Sequence, residues 1–98
     1  MTRKSSRSTP VVISGILYSE DAYSGTRVDS VEWFEFIATG TTFYFDEVGF
    51  TVRSEKRRGG LSWYAFKRLK GVLVKRYVGR CSGVTLERLK TVARHFED

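Results

Sequence analysis

A chain of 98 residues with 17 Lys and Arg against 11 Asp and Glu, formal charge +6, is long enough for one domain with a modest core and too short for a second lobe or a cofactor-binding half. Its lone cysteine, Cys81, excludes a disulfide framework and a Cys-rich metal site, and predicts a reducing compartment in which Cys81 is a packing residue. No apolar run approaches the ~20 residues that span a bilayer, and Met1 to Ser8 lacks the apolar stretch of a signal peptide, so a soluble cytoplasmic protein without membrane contact is expected.

Residues 1–9 carry Arg3, Lys4 and Arg7 and nothing to bury, which predicts a disordered basic tail ahead of one domain over residues 10–98. Pro10 to Leu17 supplies Val11, Val12, Ile13, Ile16 and Leu17, a β-branched run that reads as a strand. Asp29 followed by Glu32 resembles a capping box, and Val31, Phe34 and Ile37 recur at helical spacing up to Thr39-Gly40, predicting a short helix over about Ser30 to Ala38. Thr42 to Asp46 alternates aromatic and polar residues and pairs with Phe50 to Glu55 across the Val48-Gly49 turn.

Arg57-Arg58-Gly59-Gly60 marks the next turn, and Leu61 to Leu69 and Val72 to Arg80 flank the two-residue connection Lys70-Gly71. Thr85 caps a last helix with Glu87 in its first turn and an apolar stripe of Leu86, Leu89, Val92, Ala93 and Phe96. The fold class is therefore α+β: an antiparallel sheet of three to five strands packed by a C-terminal amphipathic helix, with a short extra helix near residues 30–38.

Charge is segregated along this plan. From Ser19 to Asp46 the acids Glu20, Asp21, Asp29, Glu32, Glu35 and Asp46 face a single Arg27, whereas Arg53 to Arg80 holds ten bases and one acid, Glu55. Bases on adjacent strands lie about 5 Å apart and form a plate of positive charge that fits rows of phosphate, their mutual repulsion calling for an anion.

With a two-residue turn at Lys70-Gly71, Trp63, Ala65, Lys67 and Leu69 share the helix-covered face with Val72, Val74, Arg76 and Val78. Tyr64, Phe66 and Arg68 then share the exposed face with Leu73, Lys75 and Tyr77; a slip of one residue would re-pair the two sets. The expected nucleic-acid-binding residues are Arg53, Lys56, Arg57 and Arg58 on phosphates at one end, and Tyr64, Phe66, Arg68, Lys75 and Tyr77 on the reading face, with Lys70 and Arg80 completing the set. Each aromatic has plain core packing as its alternative.

The order of three strands with basic turns and one amphipathic helix resembles the arm-site DNA-binding domains of tyrosine-recombinase integrases and the plant ethylene-response-factor domains, and that resemblance implies a sheet that enters the major groove. The wording Ser62-Trp63-Tyr64-Ala65-Phe66-Lys67-Arg68, Lys75-Arg76-Tyr77-Val78-Gly79 and Val84-Thr85-Leu86-Glu87-Arg88-Leu89 also resembles a module of bacterial and cyanobacterial regulators, including the front end of large LuxR-type ones. Val31-Glu32-Trp33-Phe34 and Phe50-Thr51-Val52-Arg53 extend that likeness over roughly Asp29 to Phe96.

Duplex DNA is accordingly the expected partner of a small transcriptional regulator or mobile-element accessory protein, with RNA as a variant in which exposed aromatics stack on bases. The alternative is an adaptor that binds a protein through the acidic stretch Glu20 to Glu35. One Cys, one His and scattered acids make no catalytic constellation, and His95 sits on the polar side of the last helix; neither enzyme activity, nor a cofactor, nor a metal is expected.

Overall fold

Alternation along each strand decides which side chains are buried. In a computed structural model of the chain, which describes residues 9–97, the strands are β1 (Val11–Ile13), β2 (Ile16–Tyr18), β3 (Phe43–Phe45), β4 (Phe50–Arg57), β5 (Gly60–Leu69) and β6 (Val72–Arg80). Two helices, α1 (Val31–Ala38) and α2 (Leu86–Glu97), and a 3-10 turn at Cys81–Gly83 complete the fold. The expected basic tail lies, except for Thr9, outside the described residues.

All six strands join one sheet in the order β2-β1-β3-β4-β5-β6, antiparallel throughout except for the parallel pair β1 and β3. One parity in each strand is buried: Val12, Leu17, Phe43, Phe45, Phe50, Val52, Trp63, Ala65 and Val78. Paired residues share a face, so these side chains make one apolar floor. Trp33, Phe36 and Ile37 of α1 and Leu89, Val92, Ala93 and Phe96 of α2 cover it.

The rings interlock across the layers, Trp33 against Phe43 at 5.3 Å and Phe96 against Phe50 at 5.4 Å between centroids. Buried indoles need acceptors; Trp33 Nε1 donates to the Val84 carbonyl at 2.7 Å and Trp63 Nε1 to Cys81 Sγ at 3.5 Å. The fold is thus α+β with a C-terminal helix on the sheet, as expected.

Two local expectations are corrected. The stretch Pro10 to Leu17 is a hairpin: Ser14 and Gly15 adopt φ of 52° and 79°, and Ile13 pairs with Ile16. Positive φ at both central residues is what a tight hairpin turn demands, and glycine accepts it without strain. That hairpin makes two strands of one expected strand and raises the number to six.

Asp29 does not cap α1. Ser30 does, its hydroxyl accepting from Trp33 N at 3.2 Å, while the Asp29 carboxylate accepts from Leu86 N at 3.0 Å and so serves the start of α2, 57 residues away. Thr85 caps the same end from within, accepting from Arg88 N at 3.1 Å. An acid beside free helix N–H groups satisfies donors and opposes the positive end of the helix dipole.

Arg88 of α2 also serves the sheet. Its guanidinium donates to the Val78 carbonyl at 2.7 Å and the Tyr77 carbonyl at 2.9 Å, covering the free edge of β6. The opposite edge, β2, is bonded by the loop before α1, Leu17 N donating to Thr26 O at 2.8 Å and Gly25 N to Leu17 O at 2.7 Å.

Candidate nucleic-acid interface

Both helices lie on one side of the sheet, so the other side has no covering layer among the described residues. Its character follows from the register of the three long strands. Leu69 pairs with Val72, Phe66 with Lys75 and Tyr64 with Tyr77, which is the two-residue turn expected at Lys70-Gly71. On β4, Thr51 pairs with Phe66, Arg53 with Tyr64 and Glu55 with Ser62. Arg53, Arg57, Tyr64, Phe66, Arg68, Leu73, Lys75 and Tyr77 are thereby brought to one face, whereas Trp63 and Ala65 point into the core. A bulge between Trp63 and Tyr64 shifts the pairing, Trp63 lying opposite Gly79.

On this face the cations rest on rings. Lys75 Nζ lies 4.3 Å from the Tyr64 centroid, Arg57 Cζ 5.7 Å from the same ring, and Arg53 Cζ 5.5 Å from the Phe66 centroid. Tyr64 and Tyr77 meet edge to face at 5.5 Å, with Tyr77 49% exposed and neighbouring Leu73 54% exposed. A cation over a π face is stabilised by the ring quadrupole, which keeps three positive charges together on a small area.

Glu55 is the anion that their repulsion requires. It accepts a salt bridge from Lys75 at 2.9 Å and another from Arg57. The hydrogen bond from Lys75 holds the Glu55 carboxyl below its ordinary value, with the charges of Lys75, Arg57 and Arg53 adding to the effect against partial desolvation. The Tyr64 hydroxyl beside it, together with Glu55, raises Arg57 further above an already high value. One acid among Arg53, Arg57, Arg68 and Lys75 leaves the face strongly positive.

The remaining predicted residues are placed differently. Lys56 pairs with Leu61 and belongs to the helix-side parity of Val52 and Ser54, on the face opposite to Arg53 and Arg57. Arg58 and Lys70 occupy the two turns, at opposite ends of the long strands. Arg80 pairs with Ser62, and its guanidinium lies against the Gly59-Gly60 turn; a Cβ on either glycine would come within 3.2–3.3 Å of it and displace the guanidinium by a few tenths of an ångström. Arg68 donates to the Gly71 carbonyl at 3.1 Å, at the far end.

A groove of about 430 Å³ opens on the same face, lined by Thr51, Arg53, Phe66, Arg68 and Leu73 among others. Three aromatic or apolar neighbours were missed by sequence reasoning: Tyr18, Val11 and Tyr44 share this face because Val11 pairs with both Tyr18 and Tyr44, and Tyr44 with Thr51. The alternation over Thr42 to Asp46 already separates Tyr44 from Phe43 and Phe45, but its neighbours come from a pairing with β1 that nothing local announces.

The acids lie elsewhere. Glu32 and Glu35 are exposed on α1, in the layer behind the open face. Among the described residues no group of three or more His, Cys, Asp or Glu side chains is arranged to hold a metal ion, and no helix is long and apolar enough to cross a membrane. Comparison of the chain with family models, with curated proteins and with solved structures finds no match to any of them.

Proposed function

We propose that this protein binds nucleic acid through the open face of β4, β5 and β6, with duplex DNA held at the end of the sheet that carries Arg53, Arg57, Arg58 and Arg80, as a small cytoplasmic regulator or accessory protein of a mobile element. The observation that carries the reading is a solvent-facing plate of cations ordered on aromatic rings with a single acid among them. Width supports the duplex. Beyond Val52, where β3 ends, only three strands continue, about 10 Å between the outer strand axes at the usual strand spacing, and a major groove about 12 Å wide admits two adjacent strands of them.

Titration of a duplex at increasing salt tests this. Four cations meeting phosphates predict an affinity that falls by about two orders of magnitude between ~50 and ~200 mM salt. Absence of binding at low salt, or binding indifferent to salt, overturns the proposal. A protein adaptor is the second reading, favoured by Val31, which is exposed beside Glu32 on the outer side of α1. Such a contact responds little to salt and is lost on Val31→Asp.

A further inference from the structure

The open face changes width along the strands, and width decides what lies on it. At the level of Arg53, Tyr64 and Tyr77 three strands are present. One step along, Tyr18, Val11, Tyr44, Thr51, Phe66 and Lys75 pair in an unbroken row across all six strands. Strand spacing of about 4.8 Å makes that row roughly 24 Å wide, twice the ~12 Å of a major groove. A duplex that seats the narrow end therefore stops short of this row.

Yet the row and the residues beside it have the make-up of a ligand site. Its groove has Phe66 and Leu73 in its lining, Arg53 and Arg68 as flanking guanidiniums, and no acid among its lining residues. Tyr18 at the far end of the row is 49% exposed, and Tyr44 and Phe66 are half-buried along it. Bases within a duplex offer only their edges, whereas unpaired bases offer a flat face that stacks on aromatic side chains while the backbone follows a positive groove. Arg53 at 5.5 Å and Lys75 at 5.8 Å lie over the Phe66 ring, so a base that stacks there takes the place of a cation on the ring and leaves it next to the base, within reach of the adjoining phosphate.

We propose that the six-strand row is a seat for unpaired nucleotides, a base stacking on Phe66 with Arg53 and Arg68 on the adjoining phosphates. The inference rests on nucleic-acid binding by this face and deepens it: the preferred ligand is a single strand, free or continuing from a duplex held at the three-stranded end.

Fluorescence anisotropy on the full chain tests it with three probes at one salt concentration: a blunt duplex, the same duplex with an unpaired extension, and the extension strand alone, each extension made as DNA and as RNA. The extension is expected to tighten binding about tenfold or more. Phe66→Leu keeps an apolar side chain and lacks the π face, so the ratio of extended-duplex to blunt-duplex affinity falls towards one; Phe66→Tyr keeps the ratio. A gain from the DNA extension, the RNA extension or both supports the seat and identifies the strand it takes. Equal affinity for blunt and extended duplex, or an undiminished gain in a folded Phe66→Leu protein, overturns the seat and leaves duplex binding standing. Failure to bind any probe overturns both.

Discussion

Trp63 and Tyr64 are neighbours on β5 with opposite surroundings. Trp63 is fully buried, its ring 5.9 Å from Phe43 and its indole N–H bonded to Cys81 Sγ. Tyr64 faces outward, edge-on to Tyr77 and under the Lys75 ammonium. The same contrast runs along the sheet, Phe43, Phe50 and Ala65 under the helices against Tyr44, Thr51 and Phe66 on the bare side. Aromatic character does not assign a role here; the layer that covers each face does. Covered rings stabilise the fold by burial, worth about 1.5–3 kcal/mol for each large side chain. Open rings gain only about 0.5–1 kcal/mol from each exposed cation and stay available to a ligand.

The sharpest test of that contrast is stability. Leu89→Ala and Phe96→Ala, on the covered side, are expected to cost about 2 to 5 kcal/mol in urea unfolding through lost burial and a residual cavity. Tyr64→Ala, on the bare side, should cost about 1 kcal/mol or less, as should the exposed α2 positions Lys90 and Arg94. Equal losses for Leu89 and Tyr64 would erase the distinction between the faces.

Binding should show the reverse preference. Arg53→Ala combined with Arg57→Ala is expected to lower duplex affinity tenfold or more at ~0.1 M salt and to reduce the slope of log affinity against log salt by about two, with an unchanged melt. Leu89→Met, a volume-conserving change on the covered side, should leave binding untouched. Binding that survives the double Arg variant with its full salt slope would show that the open face does not carry the interaction.

A smaller effect separates the two helix caps. Asp29→Ala removes an acceptor from the start of α2 and is expected to cost about 0.5 to 2 kcal/mol, although Asp29 lies in sequence beside α1. Hydrogen exchange distinguishes the helices: the amide of Leu86 should lose protection while that of Trp33, held by Ser30, keeps it. Loss of protection at Trp33 instead would return Asp29 to α1.

The smallest expected effect concerns Glu55, the acid within the basic face. Its folded-state carboxyl is held below the ordinary 4.5, chiefly by the Lys75 hydrogen bond, so the unfolded chain takes up this proton first. Whatever stability Glu55 adds is present above that ordinary value and is lost as pH falls through it toward the lower folded value. Glu55→Gln should flatten this part of the acid limb in pH-dependent melts and, by freeing Lys75 and Arg57, tighten nucleic-acid binding a few-fold. Weaker binding of Glu55→Gln would show that Glu55 positions the two cations and does not merely neutralise them.

Much of the half of the chain from β4 to α2 was legible because its order is local. The turn at Lys70-Gly71 has two residues, the pairings on either side follow from it, and the period of two then separates Trp63 from Tyr64 and Val74 from Lys75. The stripe Leu89, Val92, Ala93 and Phe96 is equally local, set by helical spacing alone. The half from β1 to β3 was less legible. Val11 to Leu17 is apolar on both sides of Ser14-Gly15, so the β-branched run hides its own turn, and α1 lies between β1 and its parallel partner β3. Asp29 was misjudged because it was read by its chain neighbours, whereas its role is set by the distant start of α2.

By itself the sequence determined the strand and helix periods, the hairpin register of β5 and β6, the basic and aromatic residues that share their outer face, and the separation of acids from bases, all of which depend on spacings of a few residues. Only the tertiary structure decided that both helices cover the same side, that Glu55 joins Arg57 and Lys75, and that Tyr18, Val11 and Tyr44 extend the row of Phe66 across six strands. Those facts depend on pairings between segments tens of residues apart, where the free energy comes from burying one shared apolar floor and not from any local preference of the chain.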